Sequence, residues 1–278
     1  MHKFRLSIIF VSVFIFLTTF AYSESTDKFS DVYEKIQSKY KRLDKAIRDI
    51  LVVFEYTFPK KRGKVYRVIS RKGNKYRIDN LNEYFAIDQS VMGDNKKAYV
   101  VDPKYGKHKL WGENEYNTRQ ESFFWREDIT DRDSITGIEI IDDRHCYVIK
   151  CAVRKPVKIQ SSFLNVPYTL WLDTSTLVSL KTEYELKGVK YKNKTFAFRK
   201  ILAGDEILEL PNKVDSYENN NISVITTIKL LCVNNGINNS MFNPNKTTHI
   251  IYEKGYPRDE YIEEIIRKID TISLEVPD

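Results

Sequence analysis

Few residues in this chain are of types that do covalent or metal chemistry. Of the four histidines, His2 belongs to the first few residues, leaving His108, His145 and His249. His145 follows Asp142 and Asp143 and precedes Cys146, a set of metal-ligand types. Neighbours in a turn and strand point to alternating faces, however, so they do not converge on one ion. Asp128, Asp131 and Asp133 cluster after Trp125, and two acids beside an aromatic platform could cleave a glycosidic bond if correctly separated. Spacing along a loop does not supply that separation. The chain holds no nucleophile elbow, H-E-x-x-H pair, C-x-x-C, P-loop or dinucleotide fingerprint. The expectation is therefore a protein that is not an enzyme, with no catalytic residues, no metal and no cofactor.

The cysteines point the same way. Cys146 and Cys151 lie in one apparent strand, roughly 16 Å apart when extended, too far to bridge each other. Either could pair with Cys232, and at least one thiol stays unpaired.

The first residues read as an export signal. His2, Lys3 and Arg5 precede the apolar run Leu6–Phe20, and Ala21-Tyr22-Ser23 offers small residues for cleavage. That run is shorter than the ~20 residues of a membrane span; an uncleaved anchor is the alternative. Removal of 1–23 takes Lys3 and Arg5 and no acid, lowering the formal net charge from +7 to +5. Lys60-Lys61-Arg62-Gly63-Lys64 reads as a solvated hairpin tip, with contact to anionic head groups as its functional alternative. Export argues against nucleic acid as a partner.

Phe29, Val32, Ile36, Tyr40 and Leu43 recur at helical spacing and predict an amphipathic helix over 29–46. The period then becomes two. Strands are expected at 50–58, 64–71, 74–80, 83–90, 97–102, 107–111, 136–142, 145–154, 165–173, 177–187, 190–202 and 222–233, separated by turn signals such as Gly73-Asn74. Ser122–Asp133, with Phe123-Phe124-Trp125, is expected to cross the sheet. Asp259–Thr271 repeats the helical pattern through Tyr261, Ile262, Ile265, Ile266 and Ile269. Sequential strands with tight turns form antiparallel meanders, and a long meander must curl to manage its edges. The fold class is thus α+β: a strongly curved antiparallel sheet, a half-open β-barrel, with a few helices covering its concave face. A domain over 27–233 is followed by an Asn-rich segment and C-terminal helix over 234–278.

With 18 Tyr, 15 Phe and 3 Trp, many on strands, such a sheet presents more apolar surface than two helices readily cover. Concave apolar surfaces are where ligands lodge. The residues expected to line an apolar cavity are Phe54, Tyr56, Phe58, Tyr66, Tyr76, Ile78, Tyr147, Ile149, Tyr168, Leu170, Leu172 and Ile228.

The order of four stretches resembles the LolA-like family of periplasmic lipoprotein carriers and outer-membrane lipoprotein-sorting proteins. They are Asp31-Val32-Tyr33-Glu34-Lys35-Ile36 through Phe54-Glu55-Tyr56; Ala98-Tyr99-Val100-Val101-Asp102-Pro103; Arg144-His145-Cys146-Tyr147-Val148-Ile149; and Val166-Pro167-Tyr168-Thr169-Leu170-Trp171-Leu172-Asp173, followed by Phe196-Ala197-Phe198. The resemblance implies a monomeric periplasmic half-barrel that binds lipoprotein acyl chains or other lipid. It also implies partners: an inner-membrane transporter and an outer-membrane acceptor. Envelope-stress sensing through a protein partner, on the same fold, is the alternative function. The tail beyond Asn234 exceeds the usual domain.

Overall fold

The computed structural model describes residues 29–275, apart from 62, 95–96, 104–105, 110–128, 131, 153–165, 245–249 and 252–256. The signal segment, Phe123-Phe124-Trp125, Asp128, Asp131 and His249 lie outside the described residues. Helix α1 spans Phe29–Ala46, within the range its periodicity predicts. Among the described residues thirteen strands of the main sheet follow, besides a short ladder of Ile250–Ile251 with Pro257–Arg258: β1 (Asp49–Phe58), β2 (Gly63–Lys72), β3 (Lys75–Leu81), β4 (Ile87–Gly93), β5 (Ala98–Asp102), β6 (Gly106–Lys109), β7 (Ser134–Ile141), β8 (Arg144–Cys151), β9 (Tyr168–Asp173), β10 (Ser179–Leu186), β11 (Val189–Ala203), β12 (Glu206–Glu218) and β13 (Asn221–Val233). A C-terminal helix, α2, spans Glu260–Glu275.

All thirteen strands form one antiparallel sheet in the order β6-β5-β4-β3-β2-β1-β13-β12-β11-β10-β9-β8-β7. Two meanders are thus joined where the last strand pairs with the first, and the ends β6 and β7 do not pair with each other. The sheet is α+β in context, curved and open. Its hairpins are set by local chemistry. Asp142-Asp143, Lys187-Gly188 and Asn219-Asn220 each hold two consecutive residues at positive φ, the requirement of the two-residue turn whose twist matches paired strands. Irregular register at Val53/Phe54, Asn80/Leu81, Ile135/Gly137, Ser179/Lys181 and Ser216/Tyr217 bends the strands.

Strand β12 is absent from the sequence expectation, because Pro211 and the acids Glu206, Glu209, Asp215 and Glu218 interrupt the pattern of 206–218. Pro211 pairs with Phe198 beside Ala197, which has positive φ, and β13 pairs only with the later half of β12. Pro211 therefore sits where no ladder partner needs its missing N–H.

The helices divide between the two faces. Ile50, Val52 and Phe54 of β1 cluster with Leu43 of α1, whereas Leu51 and Val53 cluster with Ile262, Ile265 and Ile269 of α2. Successive strand residues point to opposite faces, so α2 lies on the side away from α1, where the sequence expectation placed both helices together. At the N-terminus of α2, Asp259 accepts the Ile262 backbone N–H at 3.0 Å. Its other oxygen takes Arg77 Nη2 at 2.6 Å. Arg77, 1% exposed, also binds Asp79 through Nε at 2.8 Å and lies 4.9 Å from the Tyr261 ring. Ser90 Oγ donates to Asp79 Oδ1 at 2.5 Å. Burial raises the Asp79 pKa, against the opposing pull of Arg77. A buried charge left without its partner costs ~3–5 kcal/mol. Arg77→Met should therefore lower the unfolding free energy by about that amount in a urea titration; a loss under ~1 kcal/mol would show that the network does not hold the helix.

Candidate functional site

Cross-strand pairs carry one face from strand to strand, and eleven of the twelve expected lining residues fall on the face beneath α1. Tyr147, Ile149, Leu170 and Leu172 pack with Val32 and Ile36 of α1, and Tyr168 borders them. Ile228 is buried with Leu43, and Phe54 borders that cluster. Tyr56 and Phe58 continue the alternation of β1 outward from Phe54 and are half-buried. Tyr76 and Ile78 form a third patch with Val91, Ala98 and Val100, placed on the same face by the pairs Val52↔Ile69 and Ile69↔Ile78. At Gly93 a Cβ would come within 2.7 Å of the Tyr76 hydroxyl, so glycine lets that ring lie across the end of β4.

Tyr66 is the exception. It pairs with Glu55 rather than with Phe54 or Tyr56 and points to the α2 face. There it stacks on Phe85 at 4.0 Å and donates to Glu55 Oε2 at 3.1 Å. Burial, with Glu55, pushes its pKa up to about 12.

The face beneath α1 carries no acid, lysine or arginine along β1, β8 or β9: Ile50, Val52, Phe54, Tyr56 and Phe58; His145, Tyr147, Ile149 and Cys151; Tyr168, Leu170 and Leu172. Val32, Ile36 and Leu43 of α1 are 0% exposed, so the helix occupies the middle of this face. Beyond it the floor stays aromatic and half-exposed, with Tyr184 and Tyr191 stacked at 4.9 Å. Burial, with Tyr191 and Glu218, pushes the Tyr184 pKa up to about 12.

Besides its apolar contacts the helix makes partly exposed ion pairs, Arg42 Nε with Glu206 Oε1 at 2.6 Å and Asp44 with Arg71 at 3.6 Å. Tyr40 Oη donates to the Leu177 carbonyl at 3.1 Å, and Lys39 Nζ to that of Thr176. Asn234 Nδ2 donates to the Ala46 carbonyl at 3.0 Å while its Oδ1 accepts Arg48 N–H at 2.7 Å. The C-terminus of α1 is thereby pinned to the end of β13. The turn that receives Lys39 and Tyr40 is itself built by Asp173. Its Oδ1 accepts the backbone and hydroxyl groups of Ser175 and Thr176 at 2.6–3.0 Å, and its Oδ2 takes Arg144 Nε at 2.6 Å. Burial alone would raise the Asp173 pKa. The hydrogen bonds from Ser175, Thr176 and Arg144 outweigh it and hold the group at about 2.

The alternative chemistries find other roles for their residues. Asp133 accepts the backbone N–H groups of Thr130 and Ala152, both at 2.8 Å. Asp142 pairs with Lys194 at 3.0 Å. Cys146, Cys151 and Cys232 are free thiols. Among the described residues no group of three or more His, Cys, Asp or Glu could hold a metal, and no helix is long and apolar enough to cross a membrane.

No protein-family model matches the sequence, and no curated protein does. Solved structures do. A domain from Vibrio parahaemolyticus named for outer-membrane lipoprotein sorting superposes with a TM-score of 0.52 at 14% identity, covering 76% of this chain and 96% of its own. The chain has a LolA-like fold. A DUF1329 family protein from Desulfovibrio piger gives a TM-score of 0.51 at 15% identity, covering 76% and 98%. A LolA superfamily protein from Nitrosomonas europaea gives 0.47 at 15% identity, covering 74% and 96%. In this LolA-like sheet α1 covers one apolar face, held by aliphatic contacts and partly exposed polar bonds.

The polar tethers of α1 are testable. A group whose folded pKa is depressed stabilises above its unfolded value, and that stability is lost as pH falls through the folded one. For Asp173 the window runs from about pH 4 down to about 2. Amide hydrogen exchange of α1 should accelerate across it, ahead of α2, and Asp173→Asn should flatten the dependence. At neutral pH, Tyr40→Phe should speed exchange of α1 about fivefold, the worth of ~1 kcal/mol. Exchange rates of α1 that ignore both changes would refute the tethering.

Proposed function

We propose that this protein is a periplasmic carrier, exported through a cleaved signal peptide, that holds the acyl chain of a lipoprotein or other lipid without chemically changing it. The observation that carries the reading is the floor of β1, β8 and β9, without acid, lysine or arginine, beneath a helix whose polar tethers are partly exposed. Cargo enters by displacement: α1 swings from its anchored C-terminal end, and the acyl chain takes the place of Val32, Ile36 and Leu43. Those three side chains contribute roughly 1.5–3 kcal/mol each by burial, while a chain of ~14 CH₂ groups contributes about 0.8 kcal/mol per group. The exchange therefore favours cargo, by a margin small enough for a partner to reverse. Donor and acceptor, on this reading, are proteins of the inner and outer membranes. The name of the lipoprotein-sorting domain that shares the fold supports the same class of cargo.

Two measurements test it. Native mass spectrometry of protein purified gently from a periplasm should show bound lipid, and an acyl probe should bind in vitro. A captured protein partner with neither lipid nor probe binding would favour the sensing module instead. Ile36→Ala should destabilise the free protein by ~2–5 kcal/mol yet tighten acyl binding at least tenfold, because it weakens only the closed form. Unchanged or weaker affinity would show that the chain does not take the place of α1.

A further inference from the structure

Along β1, β2 and β3 the face beneath α1 carries no acid: Ile50 to Phe58 alternate on β1, Val65, Arg67, Ile69 and Arg71 on β2, and Tyr76, Ile78 and Asn80 on β3. Two arginines therefore stand on an apolar floor, and they are treated differently. Arg71 reaches Asp44 of α1 at 3.6 Å. On the opposite face of the neighbouring strand, Arg77 is held by Asp79 and Asp259. Arg67, which is exposed, engages no carboxylate among the described residues. Its Nε donates to the amide oxygen of Asn80 at 2.9 Å, and its guanidinium carbon lies 5.8 Å from the centre of the Tyr56 ring.

An amide and a ring orient a guanidinium without neutralising it. With Nε committed to Asn80, the two terminal nitrogens remain to grip a pair of oxygens in the fork geometry that arginine offers to carboxylate and phosphate. The position is equally specific. Arg67 pairs with Phe54, the residue at which the buried cluster under Leu43 gives way to half-exposed Tyr56 and Phe58. A chain lying in the place of α1 would emerge into water at that border, where its head group would sit.

We infer that Arg67 is the head-group subsite at the border of the face beneath α1, and that the cargo is an anionic amphiphile: one apolar chain ending in a carboxylate or phosphate held by its guanidinium. The inference rests on the carrier reading and adds the charge of the cargo to it.

Titration of the full-length mature protein with dodecyl phosphate, with the uncharged 1-monolaurin and with inorganic phosphate separates the two claims. Wild-type protein should bind dodecyl phosphate about tenfold or more tighter than monolaurin, the scale of a charge-assisted hydrogen bond. Arg67→Gln should remove that preference and leave monolaurin affinity unchanged, while Arg67→Lys should retain part of it. Inorganic phosphate at concentrations matching dodecyl phosphate should not compete. A preference that survives Arg67→Gln, an equal loss for both amphiphiles, or efficient competition by inorganic phosphate would each overturn the subsite. Failure of wild-type protein to bind either amphiphile would instead overturn the carrier reading, and the subsite with it.

Discussion

A strand in the middle of a sheet presents successive residues to opposite sides, and β1 is apolar on both. Ile50, Val52 and Phe54 face one way, Leu51 and Val53 the other. Because β1 is also the strand on which β13 closes the two meanders together, neither side can be left to water without opening the seam of the sheet. Each face therefore needs its own cover. The helix that precedes β1 covers one, and the helix that ends the described chain covers the other.

The covers are fastened in different currencies. Helix α2 is bound through Arg77, Asp79 and Asp259, charges withdrawn from water whose separation would strand each of them. Among the described residues the ion pairs of helix α1, Arg42 with Glu206 and Asp44 with Arg71, are partly exposed. Its burial rests on three aliphatic side chains, and its other polar bonds reach two carbonyls of one turn and one asparagine. Aliphatic contacts can be replaced by any apolar chain at little loss, whereas a buried arginine cannot be satisfied by one. On the proposed reading this contrast makes α1 the cover that cargo displaces and α2 part of the frame.

Much of this was legible from residue patterns. Helical spacing marked α1 closely, and alternation with turn chemistry marked most strands, because both are local. Face assignment was not. Period two tells which residues of a strand share a side but not which side of the next strand they join, so Tyr66 was grouped with Tyr56 although it pairs with Glu55. The same limit hid the place of α2, which depends on Arg77 meeting Asp259 from far along the chain. Strand β12 escaped because Pro211 is tolerated only through the one-sided pairing of its neighbours. Arg67 carried no signal either: its setting, a guanidinium beside Phe54 held by the Asn80 amide and the Tyr56 ring, is shown only by the fold. The expected lining residues other than Tyr66 share a face.

The central claim is that cargo replaces α1 rather than entering beside it. Pulsed electron resonance between spin labels at Gln37 on α1 and Lys150 on β8, both exposed, measures this directly, with Glu260 and Asn74 as the matching pair across α2. Adding an acyl ligand should move the first distance outward and leave the second unchanged. A ligand that binds while the first distance stays fixed, or that shifts the second instead, would contradict the account.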